Sequence, residues 1–269
     1  MANSNSSAAR RRRNSIEVFD GKHALDLATA QSYSENVFLF VPNLIGYTRI
    51  ILAGLSLHYM SYHPRYCTIL YGVSCLLDAL DGHAARALGQ TSKFGAVLDM
   101  VTDRCTTSCL LCFLSSAYPR YATIFQFLIT LDFSSHYMHM YSSLVTGSKS
   151  HKAVRSDVSR ILQFYYDPVK LFLICAGNEL FFVALYLMKW ESQPIGIRPY
   201  TILPFDLPAF LAEVTWAQLL ACCTFPICVL KNFINLVQLW KASKILVGVD
   251  LAERATAREA REESKRKSQ

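Results

Sequence analysis

The chain has 269 residues and a formal net charge of +7, and 52% of its residues are hydrophobic whereas only 17% are charged. The charged residues lie mainly near the two termini and in a central stretch, and long apolar segments separate them. A soluble domain interleaves charge with apolar positions, whereas a membrane protein places charge outside apolar blocks of about 20 residues. The composition therefore indicates an integral membrane protein. The basic residues flank apolar segments, which argues against nucleic-acid binding and for contact with anionic lipid.

The N-terminal residues 1–36 form the first predicted region, a basic disordered N-terminus. Its first 14 residues are polar and rich in arginine, so no cleaved signal peptide is expected. Residues 15–36 could hold a short amphipathic juxtamembrane helix. The nine cysteines of the chain fall in or beside apolar segments without zinc-site spacing to histidines, and we interpret them as small buried residues.

Six apolar segments predict six transmembrane helices, and thus an all-α integral membrane fold. Each segment is long enough to cross a hydrocarbon core of about 30 Å, and none shows the sustained alternation of a strand. The segments lie near residues 37–60, 65–88, 95–117, 121–145, 166–189 and 214–240. We therefore predict a six-helix membrane domain over residues 37–245 and a charged cytosolic C-terminal tail over residues 246–269.

The connecting segments favour one orientation of this domain. Lysine and arginine are frequent before the first helix, between helices four and five, and after helix six, whereas residues 190–213 contain few of them. If six helices alternate in direction, all the basic segments fall on one side of the membrane. The positive-inside rule then places both termini in the cytosol.

Four aspartates in the second and third segments form the most informative motif. The spacing is Asp78-x2-Asp81-Gly82-x2-Ala85-Arg86-x8-Gly95-x3-Asp99-x3-Asp103. Aspartates three or four residues apart share one face of a helix, and a short loop makes the two helices antiparallel neighbours. Both pairs therefore lie at similar depth near the cytosolic surface, where they can converge in one pocket.

Converging carboxylates repel one another unless protons or cations compensate their charge. A ligand set made only of oxygen selects hard cations, so we predict two Mg²⁺ or Mn²⁺ ions, which together can clamp a diphosphate. Gly82, Ala85 and Gly95 are small enough for close approach of a helix or a ligand, and Arg86 can reach a phosphate. The alternatives are aspartates that only pair helices and an Arg86 that only snorkels to the membrane surface.

The spacing resembles, position for position, the signature of the CDP-alcohol phosphatidyltransferase family. The resemblance implies a six-helix catalytic membrane domain, usually homodimeric, with the four aspartates as metal ligands and Asp103 also as general base. It implies contacts with the CDP part of the substrate for Gly82, Ala85, Arg86 and Ser92. The segments Pro42-Asn43-Leu44 and Thr48-Arg49 are similar to first-helix elements of the family, and Asn43 could bond an aspartate or the nucleotide.

Within the family, the resemblance is closest to members that use myo-inositol as acceptor. Helix four carries Asp132, Ser135 and His136 at membrane depth, and these could bind a polyhydroxylated alcohol, with helix–helix hydrogen bonding as the alternative for each. A metal site at His136 and His139 would lack a carboxylate on the same turn. The implied reaction transfers the phosphatidyl group of CDP-diacylglycerol to myo-inositol and releases CMP, in the endoplasmic reticulum membrane.

Other functions stay open at this point. The aspartate motif does not separate inositol from another head group, nor from CDP-choline or CDP-ethanolamine used with diacylglycerol. A different class of protein, an ion transporter with an acidic membrane site, would usually place its polar groups near the midplane and in repeated halves. The acids of this chain cluster near one surface instead.

Overall fold

A computed structural model describes residues 35–146, 168–190 and 214–267, and over these residues the chain is entirely helical. This confirms the predicted all-α fold, whereas residues 1–34 of the predicted N-terminal region 1–36 lie outside the described residues. Two 3₁₀ turns, Val37–Leu39 and Pro119–Tyr121, precede the first and fourth helices. The helices are α1 Val41–Tyr59, α2 Pro64–Ala87, α3 Lys93–Ala117, α4 Ala122–Val145, α5 Pro168–Met188 and α6 Trp216–Lys267.

The connection between α2 and α3 is short and well capped. Because α2 ends at Ala87 and α3 begins at Lys93, only residues 88–92 join them. Gly89 has a φ of 65°, a left-handed conformation that favours glycine. Ser92 caps α3, since its Oγ accepts a hydrogen bond from the Gly95 N–H at 2.9 Å. This link holds the end of α2 beside the start of α3.

Hydrogen bonds between α1 and α2 show that these helices also run antiparallel. The Ser56 hydroxyl donates to the Cys67 carbonyl at 3.0 Å, near the turn that joins the two helices. Further from that turn, the Ser74 hydroxyl donates to the Arg49 carbonyl at 3.2 Å. The start of α1 therefore lies at the same end of the bundle as the α2–α3 link.

The main apolar core lies at the opposite end of the bundle. The Tyr186 hydroxyl donates to the Met60 carbonyl and the Tyr118 hydroxyl to the Leu185 carbonyl, both at 2.9 Å. These bonds satisfy phenol groups whose rings are packed among apolar side chains. The buried members of this core are Met60, Cys67, Tyr71, Leu110, Leu111, Leu114, Phe125, Phe182, Tyr186 and Cys228.

Two of the described helices are long and apolar enough to cross a membrane, namely Val169–Met188 within α5 and Trp216–Lys267. Polar side chains such as Arg49 in α1 and the aspartates of α2 and α3 reduce the apolar character of the others. Large apolar side chains are nevertheless exposed on the outer faces of all six described helices. The six membrane spans stay a prediction for the remaining four helices.

Helix α6 extends well beyond the predicted sixth segment. It runs for 52 residues to Lys267, so the predicted charged tail continues the same helix as far as the structure describes it. Every residue from Leu251 to Lys267 is exposed. Lys267 forms an ion pair with Glu263 at 2.6 Å, an i,i+4 pairing that supports an isolated helix.

Gly177 permits close packing of α5 against α6, and its replacement tests that contact. A Cβ at this position would lie 2.7 Å from Ile227 Cγ2, so Gly177→Ala should force the helices apart. We expect a loss of about 1–3 kcal/mol in the free energy of unfolding, measured as a lower melting temperature of the purified protein.

The matched control is Gly54→Ala, because no atom lies within 4 Å of a Cβ built there and its melting temperature should not fall. Adding Ile227→Ala to Gly177→Ala should restore part of the lost stability. Equal melting temperatures for Gly177→Ala and the unaltered chain would contradict this packing.

Candidate active site

The four predicted aspartates converge on one centre between α1, α2 and α3. One carboxylate oxygen from each of Asp78, Asp99 and Asp103 lies within 4.8 Å of the other two. This separation is close to twice a Mg–O distance of about 2.1 Å, so one ion can contact oxygens from more than one residue. The spacing of the aspartates along the helices therefore produces the predicted cluster.

The guanidinium group of Arg49 lies at this centre and contacts all four carboxylates. Its Nη2 is 2.7 Å from Asp78 Oδ1, and its Nη1 is 2.6 Å from Asp81 Oδ2 and 2.8 Å from Asp99 Oδ1. Nη2 also bonds Asp103 Oδ1. The Arg49 side chain is only 3% exposed, so it is a buried cation held by four anions. The cluster is thus arranged around one positive charge.

The central position of Arg49 was missed in the sequence, where it appeared only as part of a first-helix element. Arg49 is the one Lys, Arg, Asp or Glu residue in the 19 residues of α1. A lone arginine in an apolar helix normally faces the bundle and pairs with an acid. That signal was available, but the identity of its partners required the packing of α1 on α2 and α3.

A pocket of about 280 Å³ opens beside the aspartates, and Asp81 and Asp99 form part of its wall. It lies between the start of α1, the end of α2 and the α2–α3 link. All five residues predicted to contact the CDP part of the substrate line this pocket, namely Asn43, Gly82, Ala85, Arg86 and Ser92. The structure therefore brings the predicted nucleotide contacts together next to the predicted metal ligands.

Gly95 and Gly82 serve different purposes in this pocket. A Cβ on Gly95 would lie 2.6 Å from Asn43 Oδ1 and 3.0 Å from Ser92 Oγ, so glycine is needed for the approach of α3 to α1. A Cβ on Gly82 would meet only the flexible Arg86 Nη1, at 3.5 Å. The absent side chain of Gly82 therefore leaves space in the pocket rather than relieving a contact between helices.

The polar side chains of the pocket differ in how many hydrogen bonds they already form within the protein. Asn43 is buried, and its Nδ2 donates to the Val37 carbonyl at 2.6 Å rather than to an aspartate. Ser92 accepts the capping bond from Gly95, which leaves its hydroxyl hydrogen to donate. Arg86 is exposed and forms no ion pair within the described part of the chain. Its guanidinium can therefore bind an incoming phosphate.

A second polar cluster surrounds Asp132 of α4. Arg104 Nη1 donates to both carboxylate oxygens at 2.9 Å, and Asn235 Nδ2 donates to Oδ1 at 3.1 Å. Lys231 Nζ lies 3.5 Å from the same Oδ1. Lys231 and Asn235 are buried on α6, so the cluster joins α3, α4 and α6. These bonds fit the helix–helix alternative for Asp132, and the α6 partners were not predicted.

The other two acceptor candidates also bond within α4. The Ser135 hydroxyl is fully buried and donates to the Asp132 carbonyl at 3.0 Å, and His136 Nδ1 lies 2.8 Å from that same carbonyl. Arg104 connects this cluster to the first one, because its Nη2 lies 3.6 Å from Asp103 Oδ2. The acceptor candidates are thus one side chain away from the predicted general base.

A third polar cluster surrounds Glu179 of α5, a residue that was not singled out in the sequence. Thr107 Oγ1 of α3 lies 3.2 Å from each of its oxygens, and the Tyr71 hydroxyl of α2 donates to it. This group ties three helices together between the aspartate cluster and the apolar core. A single acid in an apolar segment was the signal that could have revealed it.

Comparison with known proteins places the chain in a class of enzymes. The family model for CDP-alcohol phosphatidyltransferases matches residues 39–197, and the chain belongs to this family of transferases. The matched region contains the aspartate cluster and the pocket beside it. No solved structure matches the chain significantly.

Its relatives narrow the comparison to one activity. A Schizosaccharomyces pombe protein named CDP-diacylglycerol–inositol 3-phosphatidyltransferase is 51% identical over 229 residues, which cover 83% of this chain and 95% of that protein. Proteins of the same name from Saccharomyces cerevisiae and Rattus norvegicus are 44% and 43% identical, and the matches cover 81% and 82% of this chain and 90% and 97% of theirs.

Replacing Arg49 tests whether positive charge holds the aspartate cluster together. Arg49→Ala removes the cation that contacts all four carboxylates, which should lower the free energy of unfolding in EDTA by on the order of 3 kcal/mol. The loss is moderated because the Asp78 and Asp99 side chains are 42% and 39% exposed. Millimolar Mg²⁺ or Mn²⁺ should restore much of the lost melting temperature, because divalent ions bind the freed carboxylates.

The matched control is Arg65→Ala, which removes an exposed arginine at the start of α2, away from the aspartates. Its melting temperature should respond to divalent ions as the unaltered chain does. An Arg49→Ala variant that is as stable as the unaltered chain in EDTA would show that the cluster does not depend on this charge.

Proposed function

We propose that this chain transfers the phosphatidyl group of CDP-diacylglycerol to myo-inositol, forming phosphatidylinositol and releasing CMP. The observation that carries the proposal is the convergence of four aspartates beside a pocket lined by the family's nucleotide-contact positions. The choice of acceptor and lipid donor is supported by the names of the relatives. The matches to this chain cover most of the length of each relative.

The aspartates would hold two divalent ions, Mg²⁺ or Mn²⁺. Asp78, Asp81, Asp99 and Asp103 supply only oxygen ligands, and the position of the Arg49 guanidinium among them supports a cation-binding centre. When bound, such ions neutralise a diphosphate and the charge that develops on a departing phosphate.

The nucleotide pocket orients the donor. Arg86 extends an exposed guanidinium toward the pocket and can bind the diphosphate, and Ser92 can donate its hydroxyl hydrogen to the nucleotide. Gly82 and Ala85 leave room for the nucleotide to approach α2, while the buried Asn43 shapes the opposite wall from α1. These residues hold the scissile bond next to the aspartate cluster.

Asp103 is the proposed general base. It takes the proton of an inositol hydroxyl while that oxygen attacks the phosphorus on the lipid side of the diphosphate. A new P–O bond forms to inositol, the bond to the bridging oxygen breaks, and CMP leaves with the electron pair. Arg49 and Arg104 contact separate oxygens of Asp103 and hold its carboxylate in one orientation.

We place the acceptor side of the centre at the Asp132 cluster. Arg104 connects Asp132 to Asp103, so an alcohol bound near Asp132, Ser135 and His136 would lie close to the base. The charged groups of the cluster match the hydrogen-bonding needs of a polyol better than those of a diacylglycerol. The same side chains brace the three helices that form this side.

The cellular setting belongs to the same proposal. We place the chain in the endoplasmic reticulum membrane as a homodimer of six-span subunits, with both termini and the aspartate cluster on the cytosolic side. The distribution of basic residues supports this orientation. The donor's acyl chains would then stay in the bilayer while its nucleotide enters the pocket from water.

The direct test is CMP release from CDP-diacylglycerol by the purified protein, with and without inositol. A panel of other acceptors, including glycerol 3-phosphate, serine and diacylglycerol with CDP-choline, separates the inositol reaction from its relatives. Release that requires inositol and a divalent ion supports the proposal. Release of CMP with another acceptor but not with inositol would show that the chain makes a phospholipid with a different head group.

Removing the base should abolish turnover without unfolding the protein. Asp103→Asn keeps the size of the side chain but loses proton affinity, so we expect kcat to fall by about 10²- to 10⁴-fold, measured as CMP release. The control is Asp250→Asn, the same change at an exposed site on α6, which should retain normal kcat. Normal turnover of Asp103→Asn at an unchanged melting temperature would show that Asp103 is not the general base.

A further inference from the structure

Gln90, in the link between α2 and α3, is fixed at both its backbone and its side chain. Its backbone N–H donates to the Ala85 carbonyl at 3.0 Å, and its Oε1 accepts from the Val41 N–H at 2.9 Å. Val41 is the first residue of α1, so its N–H lacks a partner within that helix. Gln90 therefore caps α1 from a distance of 49 residues along the chain.

This bond fixes which way the side-chain amide faces. A backbone N–H can only donate, so the oxygen of the Gln90 amide must face Val41. The NH₂ group then lies on the other side of the amide with two hydrogens to donate. Because Gln90 lines the nucleotide pocket, the pocket gains a donor of defined orientation.

The position of Gln90 suits a nucleobase rather than a phosphate. Asp81, beside the proposed diphosphate site, lies six residues before Ala87, the last residue of α2. At about 1.5 Å per residue these positions are about 9 Å apart along the helix, and Gln90 follows beyond Ala87. That separation is comparable to the distance between the phosphate of a nucleotide and its base.

We propose that Gln90 selects cytosine, an inference that rests on the proposed use of this pocket for CDP-diacylglycerol. Cytosine presents two acceptors, N3 and O2, next to its amino group, and the NH₂ of Gln90 can donate to them. Uracil carries a hydrogen on N3 and would meet that NH₂ with a donor of its own. A polar site built for one partner discriminates against the mismatched one, because that complex leaves a polar group unpaired.

The substitution Gln90→Glu separates this selection from capping. Glutamate keeps an oxygen for the Val41 N–H, and its charge suits a helix N-terminus, but it loses both amide donors. Its carboxylate can accept the N3 hydrogen of uracil. We expect the ratio of CMP to UMP affinity to fall at least about tenfold, measured by calorimetric titration of the purified full-length chain with Mg²⁺ present.

Gln218→Glu is the matched control. The Oε1 of Gln218 accepts from the Thr215 N–H at 2.9 Å, so the same capping bond occurs at the start of α6, outside the pocket. This variant should keep the CMP-to-UMP ratio of the unaltered chain. Because CMP and UMP carry the same phosphate, general repulsion by an added carboxylate weakens both nucleotides equally and leaves the ratio unaffected.

Gln90→Leu removes both the cap and the donors and should lose the preference for CMP without gaining affinity for UMP. It tests the inference if Gln90→Glu fails to fold. A CMP preference that survives either folded variant would overturn the inference, and so would an unaltered chain that binds CMP and UMP equally. The proposed function fails separately, if the unaltered chain releases no CMP from CDP-diacylglycerol.

Discussion

The ion pairs between Arg49 and four aspartates join α1, α2 and α3 at one end of the bundle. Four carboxylates and one guanidinium leave an excess of about three negative charges in a partly buried space. Such an excess is costly unless further cations or polar groups compensate it. This constraint favours the binding of further cations at the cluster, beside which the pocket opens.

The opposite end of the molecule is built on a different principle. Apolar side chains from all six helices fill the core there, and phenol groups within it find backbone carbonyls. Between the two ends, Asp132 and Glu179 each accept hydrogen bonds from residues of neighbouring helices. The packed end therefore fixes the helices, and Asp132 extends that rigidity to Asp103, because Arg104 contacts both aspartates. If Asp103 is the general base, as proposed, its fixed carboxylate would need little rearrangement when the alcohol binds.

Much of this arrangement could be predicted from local spacing. The apolar segments marked the helices, and the i,i+3 and i,i+4 spacing of the aspartates placed both pairs on facing surfaces. The partners of Asp132 could not be predicted, because Lys231 and Asn235 lie about 100 residues away and meet it only after α6 packs on α4. The role of Gln90 could not be predicted either, because its partner Val41 lies 49 residues earlier, at the start of α1. Only two of the described helices are apolar enough to be identified as membrane spans by composition, because polar residues reduce the apolar character of the other four.

The five-residue link between α2 and α3 has a consequence for how this sequence can vary. It carries the left-handed Gly89, the capping Ser92 and the anchored Gln90, so most of its length is already committed to a bond or a special backbone angle. An inserted or deleted residue would break at least one of these bonds and displace the pocket wall that Gln90 and Ser92 form. Homologous chains should therefore differ in length in their other connections and keep this one invariant in length.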